Sequence, residues 1–198
     1  MRFPAKKNSF IIHFLTIDAI LTEKLKPKFM KEQLKMLKIV DTAFMDSLAA
    51  KAVESPRKRS HHNFHVSLEE GIHRLCIAAE PGTYIKPHRH LDSSKWELFI
   101  VLRGSVAVII YNESGRIEKR IILKAGGGTC ALEMSADTWH GFISLEPGTV
   151  FMETKPGPYI SPTGSDSAAW APEEGTPEAV ALEAWLHSAT DGDCWRKS

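Results

Sequence analysis

Short apolar runs divided by turn residues fill the middle of this chain, and apolar positions recur every three to four residues in shorter stretches beside it. From Arg74 to Lys155, short runs rich in β-branched and aromatic residues are divided by clusters of Gly, Pro, Asn and Asp, a pattern of strands and turns. The runs predict strands near 74–80, 83–90, 97–103, 105–111, 116–123, 129–134, 139–145 and 149–155. Asn112-Glu-Ser-Gly115 predicts a hairpin loop. Lys124-Ala-Gly-Gly-Gly128 predicts another turn, because no G-K-[S/T] and no helix follow to make it a phosphate cradle. Many short strands with glycine turns point to a sandwich or barrel.

The helical pattern is confined to the flanks. Phe44, Leu48 and Ala52 recur every four residues, with Met45, Ala49 and Val53 beside them, behind an N-capping Asp41 and before Ser55-Pro56. A second helix opens at Thr176-Pro177-Glu178 and carries Ala179, Leu182, Trp185 and Leu186 on its apolar side. Between the first helix and the strands lies Arg57-Lys-Arg-Ser-His-His-Asn-Phe-His65, which reads as a solvated basic loop or as an anion-binding edge of a site through Arg57, Arg59, Asn63 and His65.

Composition narrows the function classes. At 198 residues, 43% hydrophobic and 25% charged, the chain is sized for one globular domain with extensions. The net charge of +1 hides an asymmetry: residues 1–35 hold eight basic against three acidic side chains, so the remainder is mildly acidic. An acidic body, and a basic stretch whose only aromatic is Phe64, argue against nucleic acid as a partner. The apolar run Phe10–Leu15 behind Lys6-Lys7 raises a secretory signal, but His13 and Asp18 interrupt the apolar stretch, no small-residue cleavage site follows, and the run is far short of the ~20 residues of a membrane span. The three cysteines, Cys76, Cys130 and Cys194, form no C-x-x-C pair, which fits a reducing cytoplasm.

The chemistry concentrates in Gly82–Gly104, GTYIKPHRHLDSSKWELFIVLRG. On a strand, His88 and His90 share a side, with Cα atoms roughly 7 Å apart, close enough for two imidazoles to meet on one ion. Glu97 follows at the start of an apolar run, and His140 opens another in TCALEMSADTWHGFISL. Three imidazoles and a carboxylate suit iron, manganese, zinc, nickel or copper. By the same parity Tyr84 and Lys86 would share the face of His88, Phe99 and Val101 that of Glu97, and Phe142 and Ser144 that of His140. Tyr84 is then a proton-donor candidate and Lys86 a substrate-binding one.

Gly82, His88, His90, Glu97 and Gly104 fall on the positions of the first cupin motif, G-x5-H-x-H-x3,4-E-x6-G, except that six residues separate His90 from Glu97. His140 matches a degenerate second motif, P-x-G-x-x-H, with Ser135 and Asp137 in place of Pro and Gly. Residues from about Met36 to Leu186 resemble the WbuC family of cupin metalloproteins, through SPRKRSHHNFH, PHRH…KWELFIVLRG, EPG…ETKPGPY and WAPEEG. The resemblance implies an all-β core, a cupin double-stranded β-helix (jelly roll), with flanking N- and C-terminal helices. It implies one divalent metal (Fe, Mn, Zn or Ni) on His88, His90, Glu97 and His140, a homodimer, and a link to surface-polysaccharide (O-antigen) biosynthesis. The expected division is an extension over 1–35, with Met36 as the expected natural start; the helix and basic, His-rich segment over 36–72; the barrel over 73–158; and a loop and helix over 159–198. An accessory helix at 28–38 is the rival reading of the extension. Two functions stay open: a metal-dependent isomerase, epimerase or dioxygenase acting on a small polar metabolite such as a sugar or sugar nucleotide, and a non-catalytic, metal-dependent binding or sensing module.

Overall fold

The computed structural model describes residues 37–161 and 163–195; the expectations for residues 1–35, and most of the rival helix at 28–38, lie outside the described residues. Among the described residues the core is all-β, with eight strands in two antiparallel sheets and a helix on either side. The strands are β1 (Arg59–Asn63), β2 (Ile72–Ala79), β3 (Glu97–Arg103), β4 (Ser105–Tyr111), β5 (Ile117–Lys124), β6 (Ala131–Met134), β7 (Trp139–Ser144) and β8 (Thr149–Pro156). Five form one sheet in the order β1-β2-β8-β3-β6, and three form the other in the order β5-β4-β7. This is the jelly roll with flanking helices.

Side-chain alternation explains the layering. Ile77, Phe99, Val106, Val108, Leu123, Phe142 and Phe151 point between the sheets and form one apolar cluster. Cys76, Ala78, Ala107, Ile109, Ile143 and Val150, their neighbours in sequence, lie in the clusters on the outer faces, where the helices cover them. Helix α1 (Thr42–Glu54) buries Leu48, Ala49 and Ala52 against Cys76, Ala78 and Val150 of the larger sheet. Its start is fixed by Asp41, whose Oδ1 accepts from the Phe44 amide at 2.8 Å. Helix α2 (Pro177–Leu186) lays Ala179, Leu182 and Leu186 on Ala107, Ile109 and Ile143 of the smaller sheet. Strand β4 is therefore apolar on both faces, because both are covered.

Two expectations fail. Residues 83–90 do not form a strand. Pro87 has no N–H to give a ladder, and the segment instead touches β7 at one antiparallel bridge, His88 to His140. It is held on its other side by Arg89 N–H to the Asp166 carbonyl and Ala168 N–H to the Pro87 carbonyl, both 2.9 Å. The loop reading of the basic stretch also gives way, since Arg59–Asn63 is edge strand β1, paired along its length with β2. Its polar sequence reflects that edge position, with His61, His62 and Asn63 exposed.

Candidate metal centre

The bridge between His88 and His140 builds the site. Each backbone N–H donates to the other's carbonyl at 2.9 Å, a hydrogen-bonded cross-strand pair whose side chains rise on one face. Their ring centroids lie 4.4 Å apart, and His90, two residues on, brings its ring to 5.4 Å from His88. Glu97 enters at the first residue of β3. The six residues before it fold into a compact turn, in which Asp92 Oδ1 accepts from the Ser94 amide and hydroxyl at 2.9 and 2.7 Å. The longer spacing is absorbed there, and Glu97 still meets the histidines. Asp137, where the second motif usually has glycine, adopts φ 61°, the left-handed conformation glycine supplies, and its amide donates to the His90 carbonyl at 2.8 Å.

One ligand atom from each of His88, His90, Glu97 and His140 lies within 4.8 Å of the others. Two atoms bound to one ion at about 2.1 Å are at most roughly twice that far apart, so the four need only small adjustments to share one. The imidazoles are set for it. Nδ1 of His88 faces the Lys86 carbonyl at 3.1 Å and Nδ1 of His140 the Thr138 carbonyl at 2.8 Å. With the proton on Nδ1, each Nε2 presents a lone pair. Nε2 of His140 and Oε2 of Glu97 are 2.9 Å apart and both are buried. Burial would lower His140, but Glu97 outweighs it and raises the imidazole, so without an ion a proton is shared between the two atoms, in the place a divalent cation would take. The donor set fits a divalent transition metal.

The electrostatics agree. Burial, with the neighbouring imidazoles, pushes His88 down to about 3 and keeps it neutral. Burial alone would raise Glu97, but His140, His90 and Lys155 outweigh it and hold the carboxyl well below its ordinary range. Lys155 Nζ bridges Glu97 Oε1 at 2.9 Å and Glu153 Oε1 at 2.6 Å. Burial would lower Lys155, but the two carboxylates raise it. Glu153 itself is raised, first by burial and then by the charge of Glu97.

A cavity of about 230 Å³ opens beside the cluster. His73, His88, His90, Lys155 and Lys95 line it, with Asp92 and Asp166 and apolar walls from Leu91, Pro156, Pro158, Tyr159 and Ile160. Phe99, Val101 and Phe142 lie in the apolar cluster between the sheets, as their parity with the ligands implies. The other candidates lie elsewhere. The Tyr84 hydroxyl donates to the Pro172 carbonyl at 2.9 Å and its ring joins the cluster beneath α2; burial, then Glu174 and Glu173, push the phenol up. Arg57 and Arg59 both pair with Glu174, and Lys86 pairs with Glu173. Asn63 is exposed on β1. His65 stacks on His73 at 4.2 Å but does not itself line the cavity. The parity that would have turned Tyr84 and Lys86 inward lapses because 83–90 is not a regular strand. Sequence reasoning missed Lys155, Glu153, Lys95 and His73; the alternation of β8 below Phe151 was the one available signal, since it carries Glu153 and Lys155 to the inner face.

A family described as a domain of unknown function (DUF6016) matches residues 40–123. A search of curated proteins finds no match to this chain. Among solved structures, KdgF from Halomonas sp. is 17% identical, over 52% of this chain and 82% of that one, with a TM-score of 0.41. A cupin superfamily protein from Desulfitobacterium hafniense is 10% identical, over 50% and 76%, with a TM-score of 0.39. Oxalate decarboxylase from Bacillus subtilis, described with Mn(II) centres, is 18% identical, over 55% of this chain and 30% of that one, with a TM-score of 0.40.

Proposed function

We propose that this chain is a cupin metalloprotein that binds one divalent ion through His88, His90, Glu97 and His140 and acts on a small polar metabolite of about the size of one sugar. The observation that carries this reading is the convergence of one ligand atom from each of His88, His90, Glu97 and His140 to within 4.8 Å of the others, at the side of a cavity. The bound ion would supply Lewis acidity toward a carbonyl or hydroxyl oxygen, or a place where water or O2 is activated. The chain's residues would do the rest. Lys155 and Glu153 hold the Glu97 carboxylate in place, the Nδ1 hydrogen bonds aim His88 and His140, and the apolar walls exclude water from a seated ligand. Lys155 and His73 both line the cavity, where they can hydrogen-bond such a ligand.

The WbuC resemblance supports a sugar substrate, a cytoplasmic homodimer and a place in surface-polysaccharide synthesis. Isomerisation or epimerisation is the enzyme reading of a Lewis-acid ion, and dioxygenation that of iron. The test is incubation of the metal-loaded chain with a panel of aldoses, ketoses and sugar acids, followed by NMR. New signals or solvent deuterium in a C–H position support turnover. Line broadening without conversion over days would replace it with a binding or sensing module.

A further inference from the structure

The cavity beside the ligands offers more hydrogen-bond donors than the protein uses. An ammonium has three. Lys155 gives one to Glu97 and one to Glu153, and Lys95 gives one to the Pro156 carbonyl and one to the Pro158 carbonyl. One N–H on each therefore has no acceptor among the described residues. The acids on the same lining are already engaged: Asp92 Oδ1 by Ser94, and Asp166 Oδ2 by the Thr163 amide and hydroxyl.

Glu97 and Glu153 stand against Lys155 and a divalent ion, which leaves one positive charge in excess beside the histidines. The cavity lining adds Asp92 and Asp166 against Lys95, one negative charge in excess. The free Lys155 N–H gives one anionic group a partner, and the two aspartates oppose a second. Leu91, Tyr159 and Ile160 give the remaining wall an apolar surface, and the volume of about 230 Å³ lies below the ~300–1,000 Å³ of pockets for larger ligands.

We infer that the cavity takes a small monocarboxylate, with its acid group on the free N–H of Lys155 beside the metal ligands and its carbon skeleton against Leu91, Tyr159 and Ile160. This rests on the metal-site reading above and narrows it. A sugar nucleotide is too large and carries too much charge; a sugar acid or hydroxy acid fits. Lys155 is the specificity-determining residue, because it is the cation that touches both a ligating carboxylate and the cavity.

The test is calorimetric titration of the metal-loaded full-length chain with glycolate, its neutral amide glycolamide, and glucose 1-phosphate, on wild type, Lys155→Met and Lys95→Met, with metal content measured in each sample. Glycolate should bind wild type more tightly than either other probe. Lys155→Met should cut glycolate affinity by about tenfold, the low end of a charge-assisted hydrogen bond, with little change for glycolamide. Lys95→Met should have the smaller effect. Equal affinities for acid and amide, a glycolate affinity untouched in Lys155→Met, or tighter binding of glucose 1-phosphate would each overturn the inference. Should Lys155→Met lose its metal, a crystal structure of wild type with glycolate decides: a carboxylate within hydrogen-bond distance of Lys155 Nζ supports it, and one placed elsewhere refutes it. A wild type that takes up no metal refutes the functional reading itself, whereas bound metal without charge preference refutes only this inference.

Discussion

Lys155 is shared by two buried carboxylates, so removing it and removing one partner have unequal consequences. Its Nζ lies 2.9 Å from Glu97 and 2.6 Å from Glu153, which are 3% and 7% exposed. In metal-free protein, Lys155→Met leaves both carboxylates without that cation. Breaking a buried pair by removing one partner costs about 3–5 kcal/mol. The Lys155 side chain is itself 27% exposed, which places the expected loss near the lower end, about 3 kcal/mol. Glu153→Gln is milder. The amide oxygen still accepts from Lys155, and Lys155 still neutralises Glu97, so the loss is the charge component of one hydrogen bond, about 1 kcal/mol. The double variant carries one unneutralised carboxylate where Lys155→Met carries two, so it should be more stable than Lys155→Met by about 1 kcal/mol. Urea denaturation followed by far-UV circular dichroism, in the presence of a chelator, measures all four proteins. The reasoning is refuted if Lys155→Met is no less stable than Glu153→Gln, or if the two changes add to within about 0.5 kcal/mol.

Other consequences are open to simpler measurement. Phe151 is fully buried between the sheets, with ring centroids 5.2 Å from Phe99 and 4.9 Å from Phe142, so Phe151→Ala should lose about 3–5 kcal/mol in the same denaturation assay. A Cβ on Gly157 would lie 1.9 Å from the Glu70 carbonyl and 2.8 Å from His73 Nε2, so Gly157→Ala should cost about 1–3 kcal/mol and shift the His73 ring resonances; unchanged resonances would show the wall to be looser than described. Hydrogen bonds from Trp139 and Arg89 hold Glu113 below its ordinary range, those from Lys124 and Ser105 do the same for Glu146, and those from Lys119 and the Arg120 amide for Asp191. Folded pKa values below the unfolded ones mean that this stabilisation is complete above the unfolded values and is lost as pH falls through the folded ones. The Tm should therefore drop below the ordinary carboxylate range, near pH 4, and a Tm that rises or stays level from pH 5 to pH 2.5 would contradict these contacts.

The fold and the ligand set were legible from the chain for a common reason: both are written in spacing. Short β-type runs between turn residues marked all the strands of the two sheets except β1, together with one at 83–90 that does not form, and the His-x-His pair, Glu97 and His140 occupy positions that a sandwich brings together. What escaped depended on partners far away in sequence. Arg59, Arg57 and Lys86 look like free cations until Glu173 and Glu174, more than eighty residues later, meet them. Glu153 and Lys155 look like strand-end surface residues until β8 is seen between β2 and β3, with Glu153 opposite Phe99 on the inner face. Asn63 and His65 look like site residues because they are polar and clustered, but Asn63 lies exposed on edge strand β1 and His65 is buried against His73. Tyr84 was assigned by strand parity, which Pro87 and the Pro81–Gly82 turn interrupt.

The central claim is that His88, His90, Glu97 and His140 hold one metal ion. Elemental analysis of the full-length chain, purified without an affinity-column metal and then reconstituted with Fe, Mn, Zn or Ni, tests it beside His88→Ala and His140→Ala. The expected result is one equivalent of a transition metal in the wild type and none in either variant, with unchanged far-UV circular dichroism. A folded wild type that holds no metal after reconstitution, or variants that hold as much as the wild type, would contradict it.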